Sequence, residues 1–275
     1  MTPLESFRQL VAADRPLALL DCAAQVPLYA DTRFEPDAVV RTVRAWGARL
    51  AQRVPADSSA NNRLRLLNHY FFEELGFRAN VERYNEPANS HLHRVIERRS
   101  GIPITLSLLY IEIGRAAGLR LLGVGFPGHF LVKLLVHHGA MLVDVFGGGV
   151  LLSADELRER LQAAMRGSET LPLEVYLRPA SERDILARLL RNLKAIHWNV
   201  GEWVAAFEVQ QRLVAVLPDE PVERRDRALL YERLECPRAA ADDLVAYLSM
   251  RPDPQDAREM RERLMHLQQA ARQLN

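Results

Sequence analysis

The residues of this sequence that could carry out chemistry are a histidine and an aspartate in two neighbouring apolar segments. His129 follows the turn dipeptide Pro127-Gly128, and Asp144 lies among leucine and valine residues. A helix is expected to begin just after Gly101, ahead of both. A histidine can serve as general base, an aspartate can orient it, and a helix N-terminus lowers the pKa of a thiol placed there. The sequence therefore holds the parts of a nucleophilic site, provided that the helix start supplies a nucleophile.

The elements that must position these residues are a buried helix and a small sheet. Ile104 to Ala117 is apolar nearly all round and starts after Pro103, which predicts a central buried helix. Runs rich in valine and leucine, separated by turn residues, then predict a three-stranded antiparallel unit. Its strands are expected at 119–126, 129–136 and 140–146, and a further strand at 173–177.

The strand register decides whether His129 and Asp144 meet. A two-residue turn at His138-Gly139 would leave the two side chains on the same face but roughly 13 Å apart. Direct pairing would require shifted strands, with His129 opposite Asp144 and a longer loop or bulge around 134–139. The sequence leaves both registers open. A carboxylate in an apolar run nevertheless needs a partner, and His129 is the natural one.

The C-terminal third of the sequence repeats with a period of 34 residues. Ala206 and Ala240 are 34 residues apart, and so are Pro218-Asp219 and Pro252-Asp253. This period is that of the tetratricopeptide helix pair, which has small residues where helices cross and proline after the second helix. Because two repeats and a final helix rarely stand alone, we expect this array to pack against the N-terminal part of the chain.

Several segments together resemble a known protein family. The segments are Phe71-Phe72-Glu73-Glu74-Leu75-Gly76-Phe77, Gly101-Ile102-Pro103-Ile104-Thr105-Leu106-Ser107 and Gly123-Val124-Gly125-Phe126-Pro127-Gly128-His129-Phe130-Leu131. They resemble the bacterial SirB family, in which a transglutaminase-like domain carries a tetratricopeptide tail. The resemblance is strong from about Leu64 to Leu152 and is recognisable through the repeats.

The resemblance also implies roles for the site residues. In the wider transglutaminase-like superfamily the central helix opens with Gly-x-Cys, and Gly101 takes the position of that glycine. The position of the cysteine then falls on Pro103, which has neither a thiol nor a hydroxyl. By the same resemblance His129 takes the base position and Asp144 the orienting position. We therefore expect a vestigial site without its nucleophile.

Two hydroxyls near the start of the helix could replace the missing thiol. Thr105 lies in the first helical turn and Ser107 two residues further on. Either would need His129 as its base and a nearby oxyanion hole. The competing interpretation of Thr105, which we favour, is that its hydroxyl bonds a backbone carbonyl of its own helix.

Composition narrows the classes of partner and compartment. Lys and Arg number 36 and Asp and Glu 35, so the net charge is near +1 and predicts neither a nucleic-acid surface nor a membrane patch. No stretch reaches the ~18 apolar residues of a membrane helix, and the charged first residues do not form a signal peptide. Cys22 and Cys236 are expected to be reduced thiols. These features favour a cytoplasmic protein.

No cofactor or metal is expected. His91 and His93 lie two residues apart near a helix start and would point to different faces, so we interpret them as solvated surface residues. The run Gly147-Gly148-Gly149 is not followed by lysine, which makes it a turn rather than a phosphate-binding loop.

The sequence as a whole predicts an α+β protein with two parts. Residues 1–180 should form a transglutaminase-like domain, helical over 1–84, with a papain/transglutaminase-like core and small antiparallel sheet over 85–180. Residues 181–275 should form an α-helical tail of tetratricopeptide type. The first hypothesis for function is a non-catalytic module that binds a protein or peptide partner or acts as a regulatory subunit whose pocket binds a small molecule. The alternative is a hydrolase or acyltransferase that uses Thr105 or Ser107 with His129 and Asp144.

Overall fold

A computed structural model of the chain describes residues 1–12, 17–166, 170–251 and 255–273. Helices occupy most of the described residues, with short 3-10 helices at Val26–Tyr29 and Pro87–Ser90 and a π-helix at His69–Glu74. The α-helices are α1 Pro3–Ala12, α2 Leu19–Gln25, α3 Pro36–Ala51, α4 Ala60–Asn68, α5 Leu92–Arg98, α6 Pro103–Ala116, α7 Ala154–Met165, α8 Leu173–Tyr176, α9 Glu182–Asn199, α10 Trp203–Val216, α11 Pro221–Arg233, α12 Pro237–Met250 and α13 Ala257–Gln273.

The strands form two small sheets. They are β1 Arg78–Ala79, β2 Ser100–Gly101, β3 Leu121–Val124, β4 Leu131–Val136, β5 Gly139–Asp144 and β6 Val150–Leu152. β1 and β2 pair in parallel, whereas β3, β4, β5 and β6 form an antiparallel sheet in chain order. The predicted three-stranded unit therefore has a fourth strand. β6 has only three residues, too few to show an alternating pattern in the sequence.

The turn between β4 and β5 lies one residue earlier than predicted. Val136 pairs with Gly139, so His137 and His138 form the two-residue turn. Gly139 has a φ of +114°, a conformation that favours glycine, and it opens β5 instead of ending the turn. The predicted strand start at His129 is also wrong, since β4 begins two residues later and His129 lies in the turn that precedes it.

Helix α6 is the central buried helix, as predicted. Every residue from Gly101 to Tyr110 is buried, and α6 packs against α3, β3 and β4. Gly114 permits the close approach of α6 to the sheet, because a Cβ at this position would lie 2.4 Å from Leu121 Cδ1. A helix that is apolar nearly all round gains stability only when it is enclosed on all sides.

The opposite face of the antiparallel sheet is covered by α7 and α8. Side chains alternate between the faces of a strand, so Val124 faces away from Leu121 and α6. One apolar cluster joins this face to the two helices: Val124, Phe126, Leu131, Leu142, Leu152, Leu157, Leu161 and Leu173. The predicted strand at 173–177 is wrong, because Leu173 enters this cluster from a single helical turn that follows Pro172.

By their contacts, the described residues form two compact units. One comprises Met1–Leu17, Val26–Arg33 and Leu190–Asn275, and the other comprises Ala18–Gln25 and Phe34–Leu189. This division by contacts does not test the predicted domains, 1–180 and 181–275, which stay a prediction.

In the first unit, α10 to α13 pack as successive antiparallel neighbours. Ala206 and Ala240, the small residues of the 34-residue period, are both fully buried. Helix α1 contacts α10, so an N-terminal segment covers part of the repeat array. An array of only two repeats and a final helix is expected to need such a cover. The repeated Pro252-Asp253 lies outside the described residues.

The predicted α+β class, with a small antiparallel sheet among many helices, is confirmed. Within the described part of the chain, no helix is both long enough and apolar enough to cross a membrane.

Candidate functional site

His129 lies in a tight turn that a half-buried arginine holds in place. Its backbone N–H donates to the carbonyl of Phe126 at 3.0 Å, and Gly128 within the turn has a φ of +67°. Arg188, on α9, donates through Nη2 to the carbonyl oxygens of Phe126 at 3.1 Å and of His129 at 2.7 Å. The position of the histidine is thus fixed by a turn and by a cation that spans it.

Asp144 ends β5 and is almost fully buried. Its Oδ1 accepts from His129 Nε2 at 2.8 Å and from the backbone N–H of Gly147 at 2.9 Å, and its Oδ2 accepts from Arg160 Nη1 at 2.7 Å. Burial alone would raise the pKa of Asp144, but the hydrogen bonds from His129 and Arg160 outweigh it and hold the pKa well below its usual value. Asp144 is therefore an anion, and His129 carries a proton on Nε2.

His129 and Asp144 meet without lying directly opposite each other. If the observed pairing is continued beyond β4, His129 lies opposite Phe146, and Asp144 is its diagonal neighbour. Diagonal neighbours on one face lie within reach of long side chains. Direct contact was expected to require a bulge or long loop around 134–139; that expectation is wrong, because His129 lies in a turn and its ring reaches back to the end of β5.

The helix start carries no reactive group in contact with His129. Pro103 is the first residue of α6 and is buried. The hydroxyl of Thr105 donates to the carbonyl of Ile102 and accepts from the N–H of Ile102, both at 3.2 Å, as expected if it serves its own helix. Ser107 is fully buried, and its hydroxyl has no hydrogen-bond partner in the described part of the chain. The described contacts thus join His129 to Asp144 and to neither hydroxyl.

Aromatic side chains border the histidine on its open side. The ring of Phe146 meets the ring of His129 edge-on, with centroids 6.0 Å apart, and Tyr84 meets Phe146 in the same way at 6.2 Å. Tyr84 is an exposed side chain in the loop before the 3-10 helix Pro87–Ser90. Burial of its hydroxyl raises the pKa of Tyr84, and the nearby Arg188 opposes this rise.

The sequence pointed to the dyad and missed its three supporting residues. Arg160 is the second partner of Asp144, Arg188 holds the turn, and Tyr84 borders the open side. The buried carboxylate signalled a need for a countercharge. The sequence could not single out Arg160, because α7 also carries Arg158 and nothing in the sequence fixes how the helix lies on the sheet.

The interpretation of His91 and His93 as solvated residues is wrong for His91, which is buried. The two rings lie 5.9 Å apart and nearly parallel, and Phe34 lies 4.3 Å from the ring of His93. They form an aromatic contact at the start of α5. Among the residues that the structure describes, no three His, Cys, Asp or Glu side chains are grouped so as to hold a metal ion.

Known proteins share both the core and the tail of this chain. The transglutaminase-like superfamily matches residues 37–191, and a tetratricopeptide repeat family matches residues 193–265. A UPF0162 protein of Xylella fastidiosa is 40% identical over 203 residues, which cover 73% of this chain and 72% of the relative. A UPF0162 protein of Pseudomonas aeruginosa is 33% identical and covers 97% of both chains. Protein SirB1 of Salmonella typhimurium is 26% identical and covers 81% of both.

No solved structure matches this chain significantly. The family matches confirm the predicted transglutaminase-like core and tetratricopeptide tail, and the relatives confirm the resemblance to SirB. With the superfamily matching more than half of the chain and a relative 40% identical over most of its length, the chain belongs to the transglutaminase-like superfamily and, within it, to the UPF0162 family.

Proposed function

We propose that this protein is a non-catalytic module that binds a protein or peptide partner. The observation that carries the proposal is the state of the helix start, where a nucleophile would have to lie. All residues from Gly101 to Tyr110 are buried, and the hydroxyl of Thr105 is engaged by the backbone of Ile102. A catalytic nucleophile must reach both its base and the substrate. None of the described contacts provides either for Thr105 or Ser107.

The retained dyad has a structural role in this proposal. His129 and Arg160 both donate to Asp144, so the pair ties the turn before β4 and helix α7 to the end of β5. A charged arginine on the same carboxylate stabilises its anionic form. The hydrolase or acyltransferase alternative, with Thr105 or Ser107, gains no support from these contacts.

The repeat unit supplies a second argument for a binding role. A cavity of about 460 Å³ is lined by the half-buried Trp198 of α9, by Leu229, Glu232 and Arg233 of α11, and by Arg263 of α13, which pairs with Glu232 at 2.9 Å. Arg233 lies 5.1 Å from the ring centroid of Trp203. Concave surfaces between stacked helix pairs are the binding surfaces of such arrays, and exposed aromatic and arginine side chains are typical anchors.

We also infer a cytoplasmic location, supported by two cysteines that are both reduced thiols. We propose that the degenerate core at 1–180 and the tail at 181–275 both contribute to partner binding.

Two assays test the proposal. The purified protein should neither transfer a fluorescent amine to glutamine peptides nor hydrolyse 4-nitrophenyl acetate above the rate of the His129→Ala variant. An activity that falls by about tenfold or more in both His129→Ala and Thr105→Val would overturn the non-catalytic proposal.

The second assay selects peptides from a random display library on the full-length protein. We expect a common sequence among the selected peptides, with an affinity that Trp198→Ala weakens by about tenfold or more. Val204→Ala, at an exposed position of α10, is the control and should leave the affinity unchanged. Failure to select any common sequence would count against a peptide partner.

A further inference from the structure

Arg188 is a half-buried cation without a counterion. No carboxylate of the described residues lies within ion-pair distance of it. Its partners are two neutral carbonyl oxygens, those of Phe126 and His129, and the ring of Phe130, whose centroid lies 5.7 Å from Cζ. Burial of the guanidinium lowers the pKa of Arg188. A charge removed from water without an opposite charge is costly, and it offers a binding site to an anion.

The N–H groups of Arg188 that bond no acceptor in the described residues lie beside an exposed part of the surface. Both carbonyl bonds use Nη2, so Nη1 and Nε make no hydrogen bond within the described ranges. Nη1 borders Gly125, an exposed residue whose missing side chain leaves it uncovered, since a Cβ there would lie 3.2 Å from Nη1. The guanidinium therefore presents a free edge towards solvent.

The neighbours of this edge suit a single carboxylate. Tyr84 is exposed and its hydroxyl can donate a second hydrogen bond; ring contacts link it to His129, whose carbonyl oxygen accepts from Arg188. Tyr84 is joined through Phe146 to the ring of His129. Guanidinium groups bind carboxylates and phosphates in the plane of the fork. Phosphate dianions are usually held by clusters of arginines. One arginine with one tyrosine matches a monoanion better.

We propose that a carboxylate of the peptide partner binds to Arg188 Nη1 and the Tyr84 hydroxyl, beside His129. This inference rests on the proposed non-catalytic function and names the chemical class of its ligand. The carboxylate can come from a chain terminus or from an acidic side chain, since both present the same pair of oxygens.

The test is a titration of the full-length protein, labelled for NMR of its arginine Nε–H and histidine ring signals. Four probes are used: acetyl-trialanine with a free carboxylate, the same peptide as a carboxamide, acetyl-Ala-Glu-Ala-amide and inorganic phosphate. We expect saturable shifts of Arg188 and His129 with one or both carboxylate probes and none with trialanine carboxamide. The two carboxylate probes distinguish a terminal from a side-chain source.

Variants locate the site. Gly125→Ala places a methyl group against Nη1 without removing the carbonyl bonds, and Tyr84→Phe removes one donor. We expect the dissociation constant to rise by about fivefold or more in Gly125→Ala and by a smaller factor in Tyr84→Phe. Arg188→Gln should abolish the shifts, and thermal melting shows whether that variant is folded. Arg120→Gln, at an exposed arginine, is the control that leaves the binding unchanged.

Equal shifts with the carboxamide, tighter binding of inorganic phosphate, or unchanged affinity in Gly125→Ala would overturn the inference. Mass spectrometry of the probes after each titration separates this inference from the proposed function. Intact probes without shifts would overturn the inference alone. Cleavage of a probe that Thr105→Val abolishes would overturn the non-catalytic function, and the inference with it.

Discussion

The two units each contain a histidine bonded to a carboxylate, and the two pairs are built in opposite ways. In the His129–Asp144 pair the histidine side chain is 19% exposed and the carboxylate 4%, with the two atoms 2.8 Å apart. In the His197–Glu202 pair the histidine is 6% exposed and the carboxylate 58%, at 2.6 Å. The buried member is the carboxylate in one unit and the imidazole ring in the other.

The two pairs also differ in how many ring nitrogens of the histidine take part in the described hydrogen bonds. Both nitrogens of His197 are used, since Nδ1 bonds Glu202 and Nε2 bonds the hydroxyl of Tyr29 at 2.6 Å. His129 uses Nε2 for Asp144, and none of the described contacts engages its Nδ1. His197 therefore links two residues inside the repeat unit. His129 is held by a buried anion and keeps a second ring nitrogen for the proposed ligand.

The largest effect is expected at the buried anion. Asp144→Ala should lower the free energy of unfolding by about 3 kcal/mol, because it removes an acceptor of three hydrogen bonds, two of them from His129 and Arg160. Asp155→Ala is the control: Asp155 bonds Arg158 of the same helix at 2.6 Å but is exposed. It should change stability by less than about 0.5 kcal/mol. Urea unfolding measures both variants. If Asp144→Ala and Asp155→Ala lowered the free energy of unfolding equally, the assignment of Asp144 as a buried anion would be refuted.

The same anion predicts an acid-sensitive stability. Because the folded pKa of Asp144 lies below its usual value, its contribution is complete above the unfolded pKa and is lost as pH falls through the folded pKa. The free energy of unfolding should therefore fall below about pH 4, and Asp144→Asn should flatten this fall. Urea unfolding of both proteins between about pH 6 and pH 2 measures it. An identical slope in Asp144→Asn would assign the acid sensitivity to other groups.

The order of effects should invert in the repeat unit. His197→Ala should cost about 2 kcal/mol, because it removes two hydrogen bonds and opens a cavity around a buried ring. Glu202→Ala should cost less than about 0.5 kcal/mol, since that side chain is exposed. In the core, replacing the carboxylate should cost more than replacing the histidine. Thermal unfolding of the four variants checks the inversion, and the same order in both units would remove the distinction.

A smaller effect is expected from the two partners of Asp144. His129→Ala and Arg160→Ala should each cost about 1 kcal/mol, because the carboxylate keeps its other partner. The double variant should exceed the sum of the two by about 0.5 to 1 kcal/mol, since only the N–H of Gly147 then remains. Additive costs in a double-mutant cycle would show that the two partners act independently. The sequence alone had suggested that losing His129 strands the carboxylate; the second partner reduces that cost.

Much of the architecture could be predicted from local patterns. The apolar circumference of α6 predicts its burial, and the 34-residue spacing of Ala206 and Ala240 predicts the repeats. The strand at Val150–Leu152 and the helix at Leu173–Tyr176 could not be predicted, because such short elements are set by the surface on which they pack. The turn at His137-His138 was predicted one residue too late. Glycine is typical of turns, but in this chain Gly139 is the first residue of β5.

The sequence by itself determined the type of protein, a transglutaminase-like core with a repeat tail, and it predicted that His129 and Asp144 pair. The repeats and the pairing follow from residue type and spacing along the chain. The core follows from a family resemblance, which also implies that Pro103 takes the position of the missing thiol. Only the tertiary structure decided that Arg160 shares Asp144, that Arg188 clamps the turn of His129, and that the hydroxyl of Thr105 is engaged by its own helix. Each of these depends on how a helix lies on a sheet or a turn, or on a side-chain rotamer. The alternative arrangements differ by only one or two hydrogen bonds, so the spacing of residues along the chain does not determine which of them forms.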